Sequence, residues 1–312
     1  MVEVPLSAIA LRGVTKAYDG HVAVHDVSLD IPQGSVFGLL GPNGAGKTTT
    51  LRMVMNILAP DSGAIEILGS PASLAARDRI GYMPEEKGLY PRMVLAEQLI
   101  FMAETKGVAR REAARRLPPW LERMGLSDWA KKKTNELSKG MQQKAQFIAA
   151  VLHDPEVLIL DEPLSGLDPI AADMMRDLLV EMSREGKTLV ISSHQMETVE
   201  RICDRVALID RGEKILDGDV AEIKSRAGRN TAVLAYEGDG AFLEKLPGVK
   251  SLRDFGRYVE IRMDGGADPA LIVREAAARL RVSRFEIVEP SLHEIFVEAV
   301  TRRTAAPGGG ER

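Results

Sequence analysis

The chain has 312 residues, of which 45% are hydrophobic and 28% are charged, so it can form one large folded domain and a small one. Its formal net charge is −4, from 41 basic and 45 acidic residues, and this excludes a strong basic field that would attract nucleic acid. A single cysteine, Cys203, excludes an internal disulfide and fits a reducing compartment. No apolar stretch reaches the ~18 residues that span a bilayer, and residues 1–12 lack a signal-peptide pattern.

The chain begins with alternating residues that predict strands around Ile9 and over 22–31, which we assign to an antiparallel β subdomain. Helical periodicity then alternates with short apolar runs, and this alternation is typical of a mostly parallel sheet covered by helices. A mainly helical stretch over 93–124, with a break at Pro118-Pro119, predicts a helical subdomain within about 86–150. The apolar runs that predict buried strands are 36–40, 80–83, 157–160, 188–192 and 206–209.

The pattern changes around residues 225–230. From there to about residue 300 we predict the order strand, helix, strand, helix, strand, helix, which indicates a small α+β domain. The expected domains are therefore 1–225, 226–303 and a tail at 304–312, which is rich in Gly and Ala and expected to be disordered.

A glycine-rich segment between a predicted strand and a predicted helix fits G-x-x-x-x-G-K-[ST] at every fixed position. Glycines let consecutive backbone N–H groups curl around phosphate oxygens, and the following helix adds its N-terminal dipole. Lys47 is expected to reach the β- and γ-phosphates and Thr48 to ligate Mg²⁺. The alternative interpretation is a glycine-rich turn that binds no nucleotide. The residues predicted to bind the nucleotide here are Gly41, Pro42, Asn43, Gly44, Ala45, Gly46, Lys47, Thr48 and Thr49.

Two carboxylates follow the apolar run Leu158-Ile159-Leu160, as in a Walker B strand. Ligands bind at the carboxyl ends of strands in open α/β sheets. We therefore expect Asp161 to hold Mg²⁺ through water and Glu162 to polarise the attacking water. A strand that merely ends in a solvated acidic turn is the alternative.

The segment Leu137-Ser138-Lys139-Gly140-Met141 precedes a predicted helix, and with these motifs the chain resembles ABC-type ATP-binding subunits, whose signature is L-S-G-G-Q. Ser138 and Gly140 match, whereas Lys139 and Met141 depart from the most familiar form, as in the drug and sodium exporter branch. The resemblance implies that this motif binds the γ-phosphate held by the opposite subunit, which suits a helix N-terminus. The alternative interpretation is that Ser138 is a simple N-cap of this helix.

Further positions follow from the same resemblance. Asp168, in Ser165-Gly166-Leu167-Asp168, is similar to the D-loop residue at the dimer seam, and His194 is similar to the switch histidine that contacts the γ-phosphate. Tyr18 stands where the family stacks an aromatic ring on adenine. The implied catalytic residues are Glu162, His194 and Lys47. The alternative interpretations are that His194 is an ordinary surface histidine and that Tyr18 is an ordinary turn tyrosine.

One position departs from the family, because Glu85 stands where a glutamine is usual. A carboxylate can ligate Mg²⁺ but, when ionised, cannot donate a hydrogen bond as an amide does. The implied metal ligands are thus Thr48, Asp161 and Glu85, and the role of Glu85 stays open.

The resemblance implies an ATPase with ATP and Mg²⁺ as cofactors, paired head to tail as a homodimer or heterodimer. The resemblance also implies that such a subunit powers a separate transmembrane permease of an exporter and lies at the cytoplasmic face of the cell membrane as a peripheral subunit. The loop 85–91 and the helical stretch after it are where the family docks its permease. The stretch 290–296 resembles a small C-terminal extension of exporter ATPases, either a stabilising or dimerising module or a regulatory ligand-binding one.

Two other functions remain open at this point. A soluble ABC-type ATPase acting in translation or DNA maintenance would usually carry two cassettes or a long coiled coil, and we find neither pattern. A phosphate-binding regulator would not need Ser138, Glu162 and His194 together. We expect no nucleic-acid partner, given the net charge.

Overall fold

The computed structural model describes residues 6–73, 75–86, 88–228, 231–264 and 266–305. The chain divides into two compact units between Gly218 and Asp219. The boundary expected after residue 225 falls inside the first helix of the second unit.

The first unit contains two sheets. Its strands are β1 (Ser7–Tyr18), β2 (His21–Pro32), β3 (Val36–Leu40), β4 (Ser62–Ile67), β5 (Ser70–Pro71), β6 (Ile80–Met83), β7 (Val157–Asp161), β8 (Thr188–Ser193), β9 (Arg205–Asp210) and β10 (Glu213–Asp219). One sheet has the order β2-β1-β4-β5 and its mapped pairs are antiparallel. Asp19 and Gly20 turn the chain from β1 to β2 with positive φ angles of 41° and 86°, as an Asp-Gly hairpin turn requires.

The second sheet has the order β10-β9-β3-β8-β7-β6, and the pairs among β9, β3, β8, β7 and β6 are parallel. β3 and β7 are buried along their whole length, which explains why both read as uninterrupted apolar runs. Register pairs Asp161 with Ser192 and Leu40 with Ser193. The carboxyl ends of β3, β7 and β8 therefore meet at one edge of the sheet.

Helices cover this sheet and form the helical subdomain. They are α1 (Lys47–Val54), α2 (Leu95–Glu104), α3 (Arg110–Arg123), α4 (Lys139–Val151), α5 (Pro169–Arg184) and α6 (Met196–Glu200). A core of buried aliphatic side chains joins the two sheets through α1, with Leu51 and Met53 each no more than 2% exposed. The mostly parallel sheet with an antiparallel subdomain and a helical subdomain is the predicted fold class.

The predicted break at Pro118-Pro119 is wrong, because α3 continues through both prolines. Ala113, Leu117 and Leu121 recur at intervals of four residues and all three are buried. Packing of this apolar face holds the helix together although each proline removes a backbone donor.

The second unit is a small α+β fold. Its elements are α7 (Val220–Ala227), β11 (Thr231–Glu237), β12 (Val249–Asp254), β13 (Val259–Met263), α8 (Pro269–Arg279), β14 (Arg281–Val288) and α9 (Leu292–Ala305). The sheet is antiparallel with the order β12-β13-β11-β14. The predicted order omitted α7 and β12, and the first predicted helix is only a 3-10 turn at Leu243–Lys245. The predicted tail at 304–312 begins inside α9, and its residues 306–312 lie outside the described part of the chain.

Candidate nucleotide-binding site

The glycine-rich loop runs from the end of β3 into α1 and passes close to two neighbouring backbones. A Cβ on Gly41 would lie 2.1 Å from the Ile209 carbonyl oxygen, and one on Gly46 would lie 2.4 Å from the Ala23 carbonyl oxygen. Both glycines also have positive φ angles, 154° and 106°. No other residue type fits these two positions, so the fixed glycines of the motif have a steric cause.

Lys47 folds back over the loop that precedes it. Its Nζ donates to the carbonyl oxygens of Gly41, at 2.7 Å, and Pro42, at 3.0 Å, and the residue is 6% exposed. Burial lowers the pKa of the ammonium, and the nearby Glu162 and Asp161 carboxylates oppose this effect. The loop therefore holds a buried amine at its centre.

The loop, β7 and the β1–β2 hairpin enclose a cavity of about 480 Å³, a size within the range of small-molecule sites. It brings together most of the residues predicted from the sequence, including Tyr18 at one end and the two β7 carboxylates at the other. The lining residues are Tyr18, His21, Ala23, Asn43, Gly44, Ala45, Gly46, Lys47, Thr48, Thr49, Glu85, Asp161 and Glu162.

Asp161 closes the floor of this cavity and is fully buried. Its Oδ1 accepts a hydrogen bond from the Ser192 hydroxyl, whereas Oδ2 is buried without a partner among the described residues. A buried carboxylate oxygen of this kind fits a cation or its bound water. Thr48 and Glu85 add oxygen donors from the same lining, a donor set suited to Mg²⁺.

The donor set does not form a complete cage. The described residues contain no group of three His, Cys, Asp or Glu side chains placed to hold a metal. Mg²⁺ commonly takes only one or two protein carboxylates and fills its octahedron with water and phosphate oxygens. The incomplete set therefore fits magnesium that arrives with a nucleotide.

Glu162 is held in an uncommon backbone conformation. Its backbone has a φ of 51°, an uncommon conformation for a residue with a Cβ. Its N–H donates to Ser192 Oγ at 3.1 Å, and Gln143 Nε2 donates to its carbonyl oxygen at 3.2 Å. These contacts hold the residue in the strained conformation just after β7.

The Glu162 carboxylate is paired with His194. Its Oε1 accepts hydrogen bonds from the backbone N–H of His194 at 2.9 Å and from Nδ1 at 2.8 Å, while Oε2 lies 3.4 Å from Ser193 Oγ. The glutamate is 6% exposed and the histidine side chain is 42% exposed. His194 thus lies at the mouth of the site rather than in the cavity lining.

Six predicted residues lie outside the cavity lining. Gly41, Pro42 and His194 adjoin it through their contacts with Lys47 and Glu162, whereas Ser138, Gly140 and Asp168 lie at the beginnings of α4 and α5. Ser138 caps α4, accepting a hydrogen bond from the Met141 N–H at 3.3 Å, and Asp168 caps α5, accepting one from the Ala171 N–H at 2.9 Å. Gly140 packs near the loop before α5, since a Cβ on it would lie 3.5 Å from the Gly166 carbonyl oxygen. Within this chain, the structure does not bring Ser138, Gly140 or Asp168 to the phosphate loop.

The structure also adds residues that sequence reasoning missed. His21 and Ala23 line the cavity, Ser192 and Ser193 contact the two carboxylates, and Gln143 donates to the backbone carbonyls of Glu162 and Pro163. The two serines end the strand beside β7, so the rule that parallel strands meet at their carboxyl ends could have indicated them. Gln143 carries no such signal, because its contact depends on how α4 packs.

Comparison with known families follows the same division of the chain. The family described as "ABC transporter" matches residues 24–165, and the family described as "ATP-binding protein DrrA1-3-like, C-terminal domain" matches residues 218–300. An uncharacterized ABC transporter ATP-binding protein of Bacillus subtilis, YhaQ, is 40% identical over 94% of this chain and 98% of its own length. The chain belongs to the ABC transporter ATP-binding proteins.

Other members of this ABC family have named roles. The linearmycin resistance ATP-binding protein LnrL of Bacillus subtilis is 33% identical over 93% of this chain and 97% of its own length. The Nod factor export ATP-binding protein I of Burkholderia pseudomallei is 40% identical over 68% of this chain and 71% of its own length. The predicted resemblance is confirmed, and these names give no support to the alternative in translation or DNA maintenance.

Solved structures confirm the fold of the cassette. An ATP-binding subunit of an ABC transporter superposes with a TM-score of 0.67 at 31% identity, covering 71% of this chain and 94% of that one. A dimeric bacterial ABC transporter cassette has a TM-score of 0.62 at 25% identity, covering 68% of this chain and 98% of that one.

The ABC assignment makes the chain an ATP-binding subunit with ATPase chemistry. Within the described residues, none of its helices is long and apolar enough to cross a bilayer.

Proposed function

We propose that the chain is the subunit that hydrolyses ATP, with Mg²⁺, to drive a separate membrane permease of an exporter. The observation that carries this proposal is the shared cavity in which the phosphate loop faces Asp161 and Glu162. The exporter assignment is supported by relatives whose names refer to drug resistance and export. It places the chain at the inner membrane surface as a peripheral subunit, through its permease.

The nucleotide would lie along the cavity from Tyr18 to β7. The Tyr18 ring is 41% exposed, with Lys16 Nζ 5.7 Å from its centroid, and it would stack on the base. The Lys47 ammonium exchanges its carbonyl partners for phosphate oxygens, and loop N–H groups donate to the same oxygens. Thr48, Asp161 and Glu85 would hold Mg²⁺, which neutralises phosphate charge when it is bound.

Glu162 would orient the water that attacks the γ-phosphate. Its carboxylate accepts from His194 at Oε1, so Oε2 is the oxygen that can accept a proton from that water. His194, at the mouth of the cavity, both fixes this carboxylate and reaches toward the terminal phosphate. Catalysis then comes mainly from positioning and from neutralising charge.

A complete site would need a second subunit. Ser138, Gly140 and Asp168 lie outside the cavity lining of their own chain, yet the N-terminus of α4, where Ser138 and Gly140 lie, suits an anion through the helix dipole. In a head-to-tail pair, each subunit would present these residues to the nucleotide of the other. The dimeric cassette structure supports such pairing.

The test is Glu162→Gln, which keeps the shape of the side chain and removes its charge. We expect turnover to fall by roughly 10²- to 10⁴-fold, the usual contribution of a general base, while ATP affinity is retained. Because ATP then persists, the variant should become dimeric with ATP and Mg²⁺, measured by light scattering after gel filtration.

The matched control is Glu185→Gln, at an exposed glutamate after α5, which should hydrolyse ATP at the same rate as the parent chain. Normal hydrolysis by Glu162→Gln would contradict the assigned role.

A further inference from the structure

The sheet of the second unit has one apolar and one polar face. Successive residues of a strand point to opposite faces, and register pairs Thr231 with Arg262 and Arg253 with Glu260, so these four side chains share a face. The other face packs against α8 to form the core of the unit. Its buried residues include Ala232, Leu234, Val259, Ile261, Met263, Ile272 and Ala276.

A cavity of about 270 Å³ lies where α9 crosses the polar face. Seven of its eight lining residues are polar or charged. Such a lining favours a small, charged ligand over an apolar one. The lining residues are Thr231, Ser251, Arg253, Glu260, Arg262, His293, Glu294 and Val297.

The charges of this cavity do not cancel. Arg262 forms an ion pair with Glu298 of α9, which neutralises it. Arg253 lies over the Phe255 ring, 5.6 Å from its centroid, and forms no ion pair with the described residues. One unpaired arginine therefore faces two glutamates, Glu260 and Glu294, and the excess is negative.

The two glutamates differ in how they are held. Glu294 uses Oε2 to accept hydrogen bonds from the Ser291 N–H, at 2.8 Å, and the Ser291 hydroxyl, at 3.2 Å, which leaves Oε1 for another donor. Glu260 has no hydrogen bond or ion pair to the described residues. Burial, and then the charge of Glu294, raise the pKa of the Glu260 carboxyl. A cation between the two carboxylates would relieve both effects.

A further polar group points to a ligand here. Thr231 is 4% exposed and lines the cavity, yet its hydroxyl has no hydrogen-bond partner in the described part of the chain. The oxygen is not itself sealed from solvent, so it faces the space of the cavity, where water or a ligand can reach it. A ligand with an N–H group could supply the missing hydrogen bond.

We propose that this cavity binds a small organic cation, with an ammonium group between Glu260 and Glu294 and one of its N–H groups donated to the Thr231 hydroxyl. An ammonium suits these partners, because its N–H groups can donate to both carboxylates and to the hydroxyl at once. The site lies wholly within the second unit and is separate from ATP hydrolysis. It would make this unit a sensor of cationic small molecules.

The experiment is a calorimetric titration of the full chain with n-butylammonium chloride in an amine-free buffer, with n-butanol as the neutral probe. We expect butylammonium to bind with a dissociation constant of about 10 mM or lower, as is reasonable for so small a ligand. Butanol should not bind. Glu260→Gln should weaken binding roughly ten- to hundredfold, the loss of one charge-assisted contact. Glu244→Gln changes an exposed glutamate of the same unit outside the cavity and should leave binding unchanged.

Three results would overturn the proposal: no binding of butylammonium, equal binding of butanol, or equal affinity in Glu260→Gln. Thr231→Val gives a second check that does not alter the charge. It keeps the shape of the side chain and removes the hydroxyl, so the affinity for butylammonium should fall several-fold. Butanol should still not bind.

Discussion

Buried ionisable side chains carry most of the chemistry of this molecule. Lys47, Asp161 and Glu162 are each no more than 6% exposed, and burial of a charge is costly unless partners compensate for it. Here the compensation comes from loop carbonyls, serine hydroxyls and a histidine. The phosphate-loop lysine and both carboxylates could be predicted from local motifs, whereas the partners that hold them could not, because they come from distant parts of the chain.

Lys47→Met should weaken ATP binding. The substitution keeps a long side chain in the loop but removes the charge that would meet the phosphates. The affinity for ATP should therefore fall roughly tenfold or more. Titration with a fluorescent ATP analogue measures this loss. Lys106→Met is the matched control, because Lys106 is also partly buried and donates to a backbone carbonyl, that of Arg77 at 2.6 Å, but lines no part of the cavity. Unchanged affinity in Lys47→Met would refute the loop assignment.

Glu260 should make the stability of the chain depend on pH. A carboxyl whose pKa is raised in the folded state favours folding below its unfolded pKa of about 4.3, and this contribution is lost as pH rises through the folded pKa. Other charged or titratable groups also face this cavity, namely Arg253, Arg262, His293 and Glu294. Both the parent chain and Glu260→Gln contain them, so the difference in stability between the two proteins reports on Glu260.

The expected result is that Glu260→Gln is more stable than the parent chain at pH 7, and that this advantage shrinks toward pH 4. Chemical unfolding of both proteins at each pH measures it. A constant difference in the free energy of unfolding across this range would contradict the raised pKa.

Elements of this fold follow packing more than local preference. α3 runs through Pro118 and Pro119 because its buried face outweighs two missing donors, whereas the segment predicted as the first helix of the second unit is only a short 3-10 turn. The buried strands β3 and β7 were predictable because burial on both faces leaves an uninterrupted apolar run. Elements with mixed patterns, such as β12, were not.

Close packing of β6 against α4 predicts that Gly81→Ala is destabilising. A Cβ there would lie 2.1 Å from the Ala150 carbonyl oxygen and 2.7 Å from Leu158 Cδ1, so the strand and helix must separate. A loss of about 1–3 kcal/mol is typical of such overpacking, measured by urea unfolding. Gly88→Ala is the matched control, since its Cβ would meet nothing nearer than 3.4 Å. Equal stability of the two variants would refute this packing argument.

At the scale of the whole molecule, the proposed function needs two copies. Ser138, which begins α4, does not line the cavity of its own chain. Specific ATPase activity should therefore rise with protein concentration and level off once the dimer dominates, because a composite site forms only on association. Steady-state rates over a wide range of enzyme concentration measure this effect. A specific activity independent of concentration, with a monomer at every concentration, would contradict the shared site.

Sequence alone determined the phosphate loop, the paired carboxylates, the mostly parallel sheet and the ABC resemblance, because each is a local pattern whose residue types follow from steric or ligand requirements. Only the tertiary structure decided which distant groups meet: His194 with Glu162, Ser192 with Asp161, and the glutamates on either side of the cavity under α9. Those contacts depend on register and helix packing, which are set by the burial of the whole chain rather than by neighbouring residues.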